Sequence, residues 1–113
     1  MLKSPMNENA NGKNLRKLSN VDRLIHEPAR LMIMAFLTVV EEVDFTFLMN
    51  QTGLTRGNLS SHMTKLENAN YIKVKKTFVN KMPRTLFKVT ETGRNAFQSY
   101  RQSMRQLFDE LPE

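Results

Sequence analysis

The spacing of apolar residues divides the chain into helical, strand and polar segments. From Leu15 to Ile25, apolar side chains recur every three or four residues, which predicts a short helix. Residues 28–41 begin with Pro28, a residue that suits a first helical turn, and continue as a run that is apolar on nearly every side. This pattern predicts a buried central helix. Residues 1–14 are polar and rich in asparagine, and we expect a disordered tail there.

Two further helices are predicted on either side of a turn that contains glycine. Thr46 can cap the first, which runs to about Thr52, and Gly53 suits the left-handed residue that ends a helix. Thr55 can cap the second, which runs from residue 56 to about residue 68. The apolar positions of this second helix form one narrow stripe: Leu59, Met63 and Leu66. Two helices joined in this way are typical of a helix-turn-helix.

The side of the second helix that faces away from this stripe is short and polar. At about 100° per residue, the positions concerned are Gly57, Ser60, Ser61, Thr64, Lys65 and Asn68. An ordinary exposed helix face favours longer residues that form helices well. Short side chains instead allow a helix to lie in a groove, where small donors reach base edges and phosphates. A helix that is merely weak is the alternative, and the groove-facing interpretation is favoured.

A basic hairpin follows. Residues 71–79 and residues 85–89 alternate between apolar and polar positions, which predicts two strands, and residues Asn80 to Pro83 predict the turn between them. Residues 71–90 hold six cations and no acid, a charge equal to the net +6 of the whole chain. These cations are Lys73, Lys75, Lys76, Lys81, Arg84 and Lys88. A localised basic stripe is typical of phosphate binding, whereas lysines that keep a sheet edge from aggregating are the alternative.

The last predicted helix, residues 91–111, is capped by Thr90 and has a heptad pattern. Its apolar residues are spaced by three and four positions, with Phe108 widening the stripe: Phe97, Tyr100, Met104, Leu107 and Leu111. Such a stripe either folds onto the core or pairs with another chain. We expect a homodimer, in which this helix packs with the leading helix of residues 15–25. The leading helix would contribute Leu15, Leu18, Val21 and Ile25.

Composition excludes several classes of protein. The chain has no cysteine, which excludes disulfides, thiol catalysis and cysteine-rich zinc sites. The longest apolar stretch, residues 31–40, is half the length that spans a membrane, and the N-terminal residues are too polar for a secretory signal. His26 and His62 are the only imidazoles, and no glycine-rich phosphate loop or metal-ligand spacing occurs. We therefore expect a cytoplasmic protein that is not an enzyme and binds no membrane, metal or cofactor.

The order of elements is that of a winged helix-turn-helix domain, mainly α with a small β-hairpin wing. The segments TGLTRGNLSSHMTKLENANYIKV and PRTLFKVTETGRNAF resemble small bacterial and archaeal winged-helix regulators. These regulators are similar to the multiple-antibiotic-resistance regulator (MarR) and arsenical-repressor-like families. The resemblance covers about residues 24–108 of a predicted domain over residues 15–113. It implies a recognition helix from Thr55 to Asn68, a wing from Asn80 to Arg84 and a homodimer.

The same resemblance bears on ligands. The lack of cysteine and the presence of only two histidines argue against metal sensing. Family members that have ligands often hold them between the dimer helices and the DNA-binding lobes. The resemblance therefore implies a small-molecule effector as an option, although no residue identifies one.

Together these patterns predict sequence-specific binding of double-stranded DNA by a homodimeric transcriptional regulator. The helix starting at Thr55 would lie in the major groove and the basic wing, about residues 75–88, on the backbone or in the minor groove. The residues predicted nearest to DNA are Thr55, Arg56, Gly57, Asn58, Ser60, Ser61, Thr64, Lys65, Lys75, Lys76, Lys81 and Arg84. The alternative is a winged-helix module for protein or RNA contact, in which the wing binds an acidic partner.

Overall fold

The computed structural model describes residues 20–112. In this range it contains four helices and one three-stranded antiparallel sheet in the order β1-β3-β2. The elements are α1 (Pro28–Val39), β1 (Val43–Asp44), α2 (Phe45–Thr52), α3 (Arg56–Asn68), β2 (Ile72–Val79), β3 (Met82–Val89) and α4 (Glu91–Glu110). The predicted fold class is confirmed. The short strand β1, which pairs with Leu86 and Phe87 of β3, was not predicted.

The core forms around α1, as its apolar composition predicts. Ile33, Met34 and Leu37 are fully buried, and they share one cluster with the buried stripe of α3 and the inner face of the sheet. The carboxylate of Glu27 caps α1 by accepting a hydrogen bond from the backbone N–H of Arg30 at 2.8 Å. The helix ends at Val39, two residues before the predicted end, because Val40 is already extended.

The predicted start of α2 is wrong. Asp44, and not Thr46, is the N-cap, and its Oδ1 accepts a hydrogen bond from the backbone N–H of Phe47 at 2.7 Å. Pairing of β1 with β3 holds Asp44 in the extended conformation that an N-cap residue needs. The pairing partner lies more than 40 residues away along the chain, so local sequence does not indicate it.

The turn of the helix-turn-helix is as predicted. Gly53 has a φ of 71° and donates its N–H to the carbonyl of Met49, and Thr55 caps α3. At the other end of α3, Asn70 has a φ of 62°. The N–H groups of Asn70 and Tyr71 bond to the carbonyls of Glu67 and Leu66, the two bonds of a Schellman motif. This ending turns the chain directly into β2.

The hairpin is longer and its turn tighter than predicted. Only Asn80 and Lys81 form the turn, both with positive φ, and Val79 pairs with Met82. Met82 and Pro83 therefore belong to β3, whose predicted start at residue 85 is wrong. Pro83 lies opposite Phe78, one pair beyond the turn, where a backbone N–H would point away from the partner strand. A proline is tolerated there because β1 pairs with β3 only at residues 86 and 87.

The segment before α1 is not helical where the structure describes it. Residues 20–27 form turns and bends, and residues 15–19 of the predicted helix lie outside the described range. Asp22 explains the difference, because its carboxylate accepts hydrogen bonds from the N–H groups of Leu24 and Ile25. Such bonds compete with a helix. The same carboxylate accepts a hydrogen bond from the hydroxyl of Tyr71 at 2.5 Å, which fixes this segment against the start of β2.

Helix α4 begins as predicted, with Thr90 as N-cap and Glu91 in the first turn. Its first half is fixed to the body of the domain. Arg94 donates to the carbonyl of Thr38 at 3.0 Å, and the hydroxyl of the buried Tyr100 is hydrogen-bonded to Nδ1 of His26 at 2.7 Å. The second half extends to Glu110.

Candidate nucleic-acid interface

The polar face of α3 is open to solvent. Leu59, Met63 and Leu66 are buried on the opposite side, as their spacing predicts. All eight positions that the sequence assigns to DNA contact on this helix are exposed: Thr55, Arg56, Gly57, Asn58, Ser60, Ser61, Thr64 and Lys65. The helix therefore presents a continuous surface of short side chains.

The hydroxyl groups on this face differ in whether they already form hydrogen bonds within the chain. Thr55 accepts the capping hydrogen bond from the N–H of Asn58, and the hydroxyl of Thr64 donates to the carbonyl of Ser60 at 2.9 Å. Within residues 20–112, the hydroxyls of Ser60 and Ser61 have no hydrogen-bond partner. These two serines are the free small donors and acceptors of the face.

An aromatic ring positions Arg56 at the start of α3. Its guanidinium lies over the ring of Phe45, 5.3 Å from the centroid, and Phe45 in turn packs against Phe87 with centroids 6.1 Å apart. Stacking on a ring leaves the in-plane N–H groups of an arginine available to a phosphate or a base. The cation is thus held at the edge of the helix by the body of the domain.

A cleft of about 860 Å³ lies between α3 and the hairpin. Its lining includes apolar side chains from helix and sheet, three cations and two acids. The apolar residues include Phe45, Met63, Val74 and Phe87; the cations are Arg56, Lys76 and Arg84; the acids are Asp44 and Glu67. The cleft joins the polar face of α3 to the wing, by which we mean the hairpin of β2 and β3.

One of the residues predicted to contact DNA is paired within the chain. Arg84 forms an ion pair with Asp44, with 2.5 Å between Nη1 and Oδ2, and its side chain is 46% exposed. Asp44 therefore caps α2 with one oxygen and holds the wing with the other. Arg84 is a cation neutralised by its partner, and local sequence patterns do not indicate a pairing across 40 positions.

The lysines of the wing are different. Lys75, Lys76 and Lys81 are exposed, and in the described part of the chain no carboxylate lies within ion-pair distance of them. Lys81 occupies the turn itself. The predicted basic stripe is thus present as free charge at these three positions.

Both histidines contact side chains of neighbouring elements. Nδ1 of His62 on α3 lies 3.0 Å from Nη1 of Arg30 and accepts its hydrogen bond, because a guanidinium can only donate. Its Nε2 lies 4.0 Å from the carboxylate of Glu27. The backbone N–H of Arg30, more than the nearby His62, lowers the pKa of Glu27. This cluster fixes α3 to the start of α1.

Among residues 20–112 no group of three or more His, Asp or Glu side chains could hold a metal ion.

The residues predicted for a dimer interface fall into two groups. Val21, Ile25 and Tyr100 belong to the core of this chain and Leu107 is also buried, so these side chains are not free to face a partner. Phe97 and Met104 are half-buried, and Leu15 and Leu18 lie outside the described residues. Phe108 and Leu111, in contrast, are 62% and 47% exposed. The exposed part of the stripe is confined to the end of α4.

A helix-turn-helix whose second helix leads into a basic hairpin defines a winged helix-turn-helix domain. The family model described as "Winged helix DNA-binding domain" matches residues 29–108, and the chain belongs to this family. An uncharacterized protein of Methanocaldococcus jannaschii is 33% identical over 85 residues, which cover 75% of this chain and 92% of that protein.

Solved structures agree with this assignment. A transcriptional regulator homologue from Pyrococcus horikoshii is 28% identical with a TM-score of 0.81, and the match covers 89% of this chain and 99% of that one. A MarR-family regulator from Streptomyces coelicolor in complex with DNA is 16% identical with a TM-score of 0.58, over 98% and 79% of the chains, and shares the fold alone. The expected resemblance is therefore confirmed: the first of these structures is described as a transcriptional regulator homologue and the second as a MarR-family transcriptional regulator. No helix within residues 20–112 is long and apolar enough to cross a membrane.

Proposed function

We propose that this protein binds double-stranded DNA in a sequence-specific manner as a homodimeric transcriptional regulator. The observation that carries the proposal is the exposed polar face of α3 beside a wing with six cations and no acid. Short side chains allow the backbone of α3 to approach a groove, and the wing supplies charge for the phosphates beside it.

The shape of the surface favours DNA over the alternatives. A helix fits the major groove of B-form DNA, which is about 12 Å wide, whereas the major groove of an RNA helix is deep and narrow. A protein interface centred on α3 would require large apolar or aromatic anchors on its exposed face. The exposed residues of α3 are instead glycine, serine, threonine, asparagine and charged residues.

The helix and the wing have separate tasks in this proposal. Ser60, Ser61 and Lys65 face base edges, because they lie along the exposed side of α3 in the groove. Lys76 and Lys81 contact phosphates from the wing, so they contribute affinity that is independent of sequence. Arg84 orients the wing through Asp44 and is a DNA contact only when that ion pair opens.

The end of α4 supports dimerisation. Phe108 and Leu111 leave a large apolar surface on the last turns of a helix whose first half is already packed. A second copy related by two-fold symmetry would cover this surface, and two recognition helices would then read half-sites about one helical turn, ~10 bp, apart. The double variant Phe108→Lys and Leu111→Lys should sediment as a folded monomer. Val39→Lys, which changes an exposed valine on α1, is the matched control.

DNA binding is tested by selecting duplexes from a random pool and measuring fluorescence anisotropy over a salt series. Lys81→Ala should weaken binding to selected and scrambled duplexes equally. It should also reduce the salt slope, the slope of log affinity against log salt concentration, by about 1. Ser61→Ala should reduce the free energy of binding by about 1–3 kcal/mol more for the selected duplex than for the scrambled one. If the unaltered protein binds neither duplex at ~50 mM salt, the proposal is wrong. If all wing variants keep the salt slope of the unaltered protein, the assigned role of the wing is wrong.

A further inference from the structure

The end of the wing is apolar as well as basic. Four apolar side chains surround the two-residue turn, and we call them the apolar tip: Phe78, Val79, Met82 and Pro83. Phe78 is 71% exposed and Met82 is 64% exposed. Among residues 20–112, none of the four packs against the core cluster, because the buried part of the sheet lies at its other end, at Ile72, Phe87 and Val89.

The tip is held in a defined conformation. Val79 pairs with Met82 and Phe78 with Pro83, so the tip lies within the hydrogen-bonded ribbon and not in a long loop. Asn80 and Lys81, with φ values of 53° and 67°, form a turn of the kind whose twist matches that of the strands. The exposed ring of Phe78 is therefore presented at low entropic cost.

Two observations identify what covers this surface. All charges on the hairpin are positive, and Lys76 and Lys81 flank the apolar tip without an acidic partner in the described residues. Met82 and Pro83 also line the cleft that contains Ser60 and Thr64 of α3. The tip thus borders the surface assigned to DNA, and its charge favours a polyanion over an apolar protein partner.

We propose that the apolar tip enters the minor groove of the bound duplex and that Phe78 partly unstacks one base step in each half-site; this inference rests on the proposed function. Phe, Met and Pro are residue types that proteins insert as wedges at base steps from the minor groove. Lys76 and Lys81 bind the phosphates on either side while the ring displaces water from the stacked bases. The wing then contributes a contact that does not depend on salt.

The first test separates apolar from ionic contributions. Phe78→Ala should lower affinity for the selected duplex by roughly 5- to 100-fold, the range produced by removing an aromatic ring that stacks on a base, and leave the salt slope unchanged. Lys81→Ala should reduce the slope by about 1. Val39→Ala, at another exposed apolar position, should change neither quantity. Circular dichroism checks that each variant is folded.

The second test detects the wedge directly. Adenines of the selected duplex are replaced one at a time by 2-aminopurine, whose fluorescence rises when it is unstacked. The unaltered protein should raise the signal at one step in each half-site, and Phe78→Ala should abolish that rise.

The outcomes distinguish this inference from the proposed function. If the unaltered protein binds the duplex but Phe78→Ala binds equally well, or no position shows a rise, the wedge is wrong and DNA binding stands. If Phe78→Ala instead abolishes self-association in sedimentation, the tip contacts a second copy and the wedge is also wrong. If the unaltered protein binds no duplex, both proposals fail.

Discussion

Replacing Gly93 with alanine tests how the wing is joined to α4. Gly93 is buried, and a Cβ at this position would lie 2.1 Å from the carbonyl oxygen of Tyr71 and under 3 Å from two more of its backbone atoms. All three atoms belong to backbone, so no side chain can rotate away. The two segments would have to separate by roughly 1 Å or more, since ordinary contacts of this kind begin at 3.4 Å.

The cost has two parts. Forcing a methyl group into a packed site costs about 1–3 kcal/mol. Separation also weakens the hydrogen bond from the N–H of Thr90 to the carbonyl of Tyr71, now 3.0 Å, which adds about 1 kcal/mol. Alanine forms helices better than glycine, which offsets about 0.5–1 kcal/mol of this loss of stability. We therefore expect Gly93→Ala to lower the free energy of unfolding by about 1–3.5 kcal/mol.

Thermal and urea unfolding measure this effect, and Gly57→Ala is the control. For a domain of this size the loss corresponds to a Tm lower by roughly 5–25 °C. A Cβ at Gly57 meets no atom of the described residues within 4 Å, so Gly57→Ala should raise Tm by a few degrees through helix propensity alone. The reasoning is refuted if Gly93→Ala leaves Tm unchanged, or if both variants shift it in the same direction.

Three further predictions concern charged groups. Asp44→Asn keeps the oxygen that caps α2 but weakens the ion pair with Arg84. Because the released Arg84 can then bind phosphate, the salt slope of DNA binding should rise by up to about 1, and because the pair is partly exposed, the free energy of unfolding should fall by less than about 1 kcal/mol. Anisotropy titrations equal to those of the unaltered protein would contradict this. Burial, with the hydrogen bond to Asp22, raises the pKa of Tyr71 to about 12, so its contribution to stability is complete below pH 10 and is lost between pH 10 and pH 12. Burial also raises the pKa of Tyr100, so Tyr71→Phe should reduce the loss of stability in this range without abolishing it, and the phenolate absorbance of the variant should report Tyr100 alone. An equal loss in the variant would refute the assignment. The hydrogen bond from the N–H of Arg30 lowers the pKa of Glu27 below its ordinary 4.5. The contribution of ionised Glu27 to stability is therefore complete above pH 4.5 and is lost as pH falls through the lowered pKa. Glu27→Gln should show a smaller drop in the urea midpoint between pH 7 and pH 3 than the unaltered protein, and an equal drop would refute the assignment.

Local patterns in the sequence predicted the parts of the fold that local interactions determine. The limits of α3 follow from Thr55 at one end and from an apolar stripe that stops at Leu66, and both act within a few residues. The left-handed conformation of Gly53 and the N-cap at Thr90 also depend on residues close by in the sequence. For the same reason, the exposed polar face of α3 followed from helical spacing alone.

Contacts between distant residues account for the errors. The start of α2 depends on Asp44, whose conformation is set by pairing with Leu86. Residues 20–25 favour a helix by spacing, yet Asp22 bonds to nearby N–H groups and to Tyr71, 49 positions away. Tyr100 was assigned to a dimer seam because periodicity identifies an apolar face without identifying which element covers it.

Asp44 connects the helix-turn-helix to the wing, the two parts that we propose bind one duplex. Its backbone joins β1 to β3, its Oδ1 fixes the start of α2, and its Oδ2 holds Arg84 on the wing. Helix α2 is joined to α3 by a three-residue turn with a left-handed glycine, so the Asp44 carboxylate supports the orientation of the wing relative to α3, together with the shared core and the direct passage from α3 into β2. In the proposed complex, a wing held in this way would reach a fixed distance along the duplex from the bases assigned to α3. Weakening the Asp44 pair should therefore relax the spacing requirement between the two contacts, in addition to releasing the charge of Arg84.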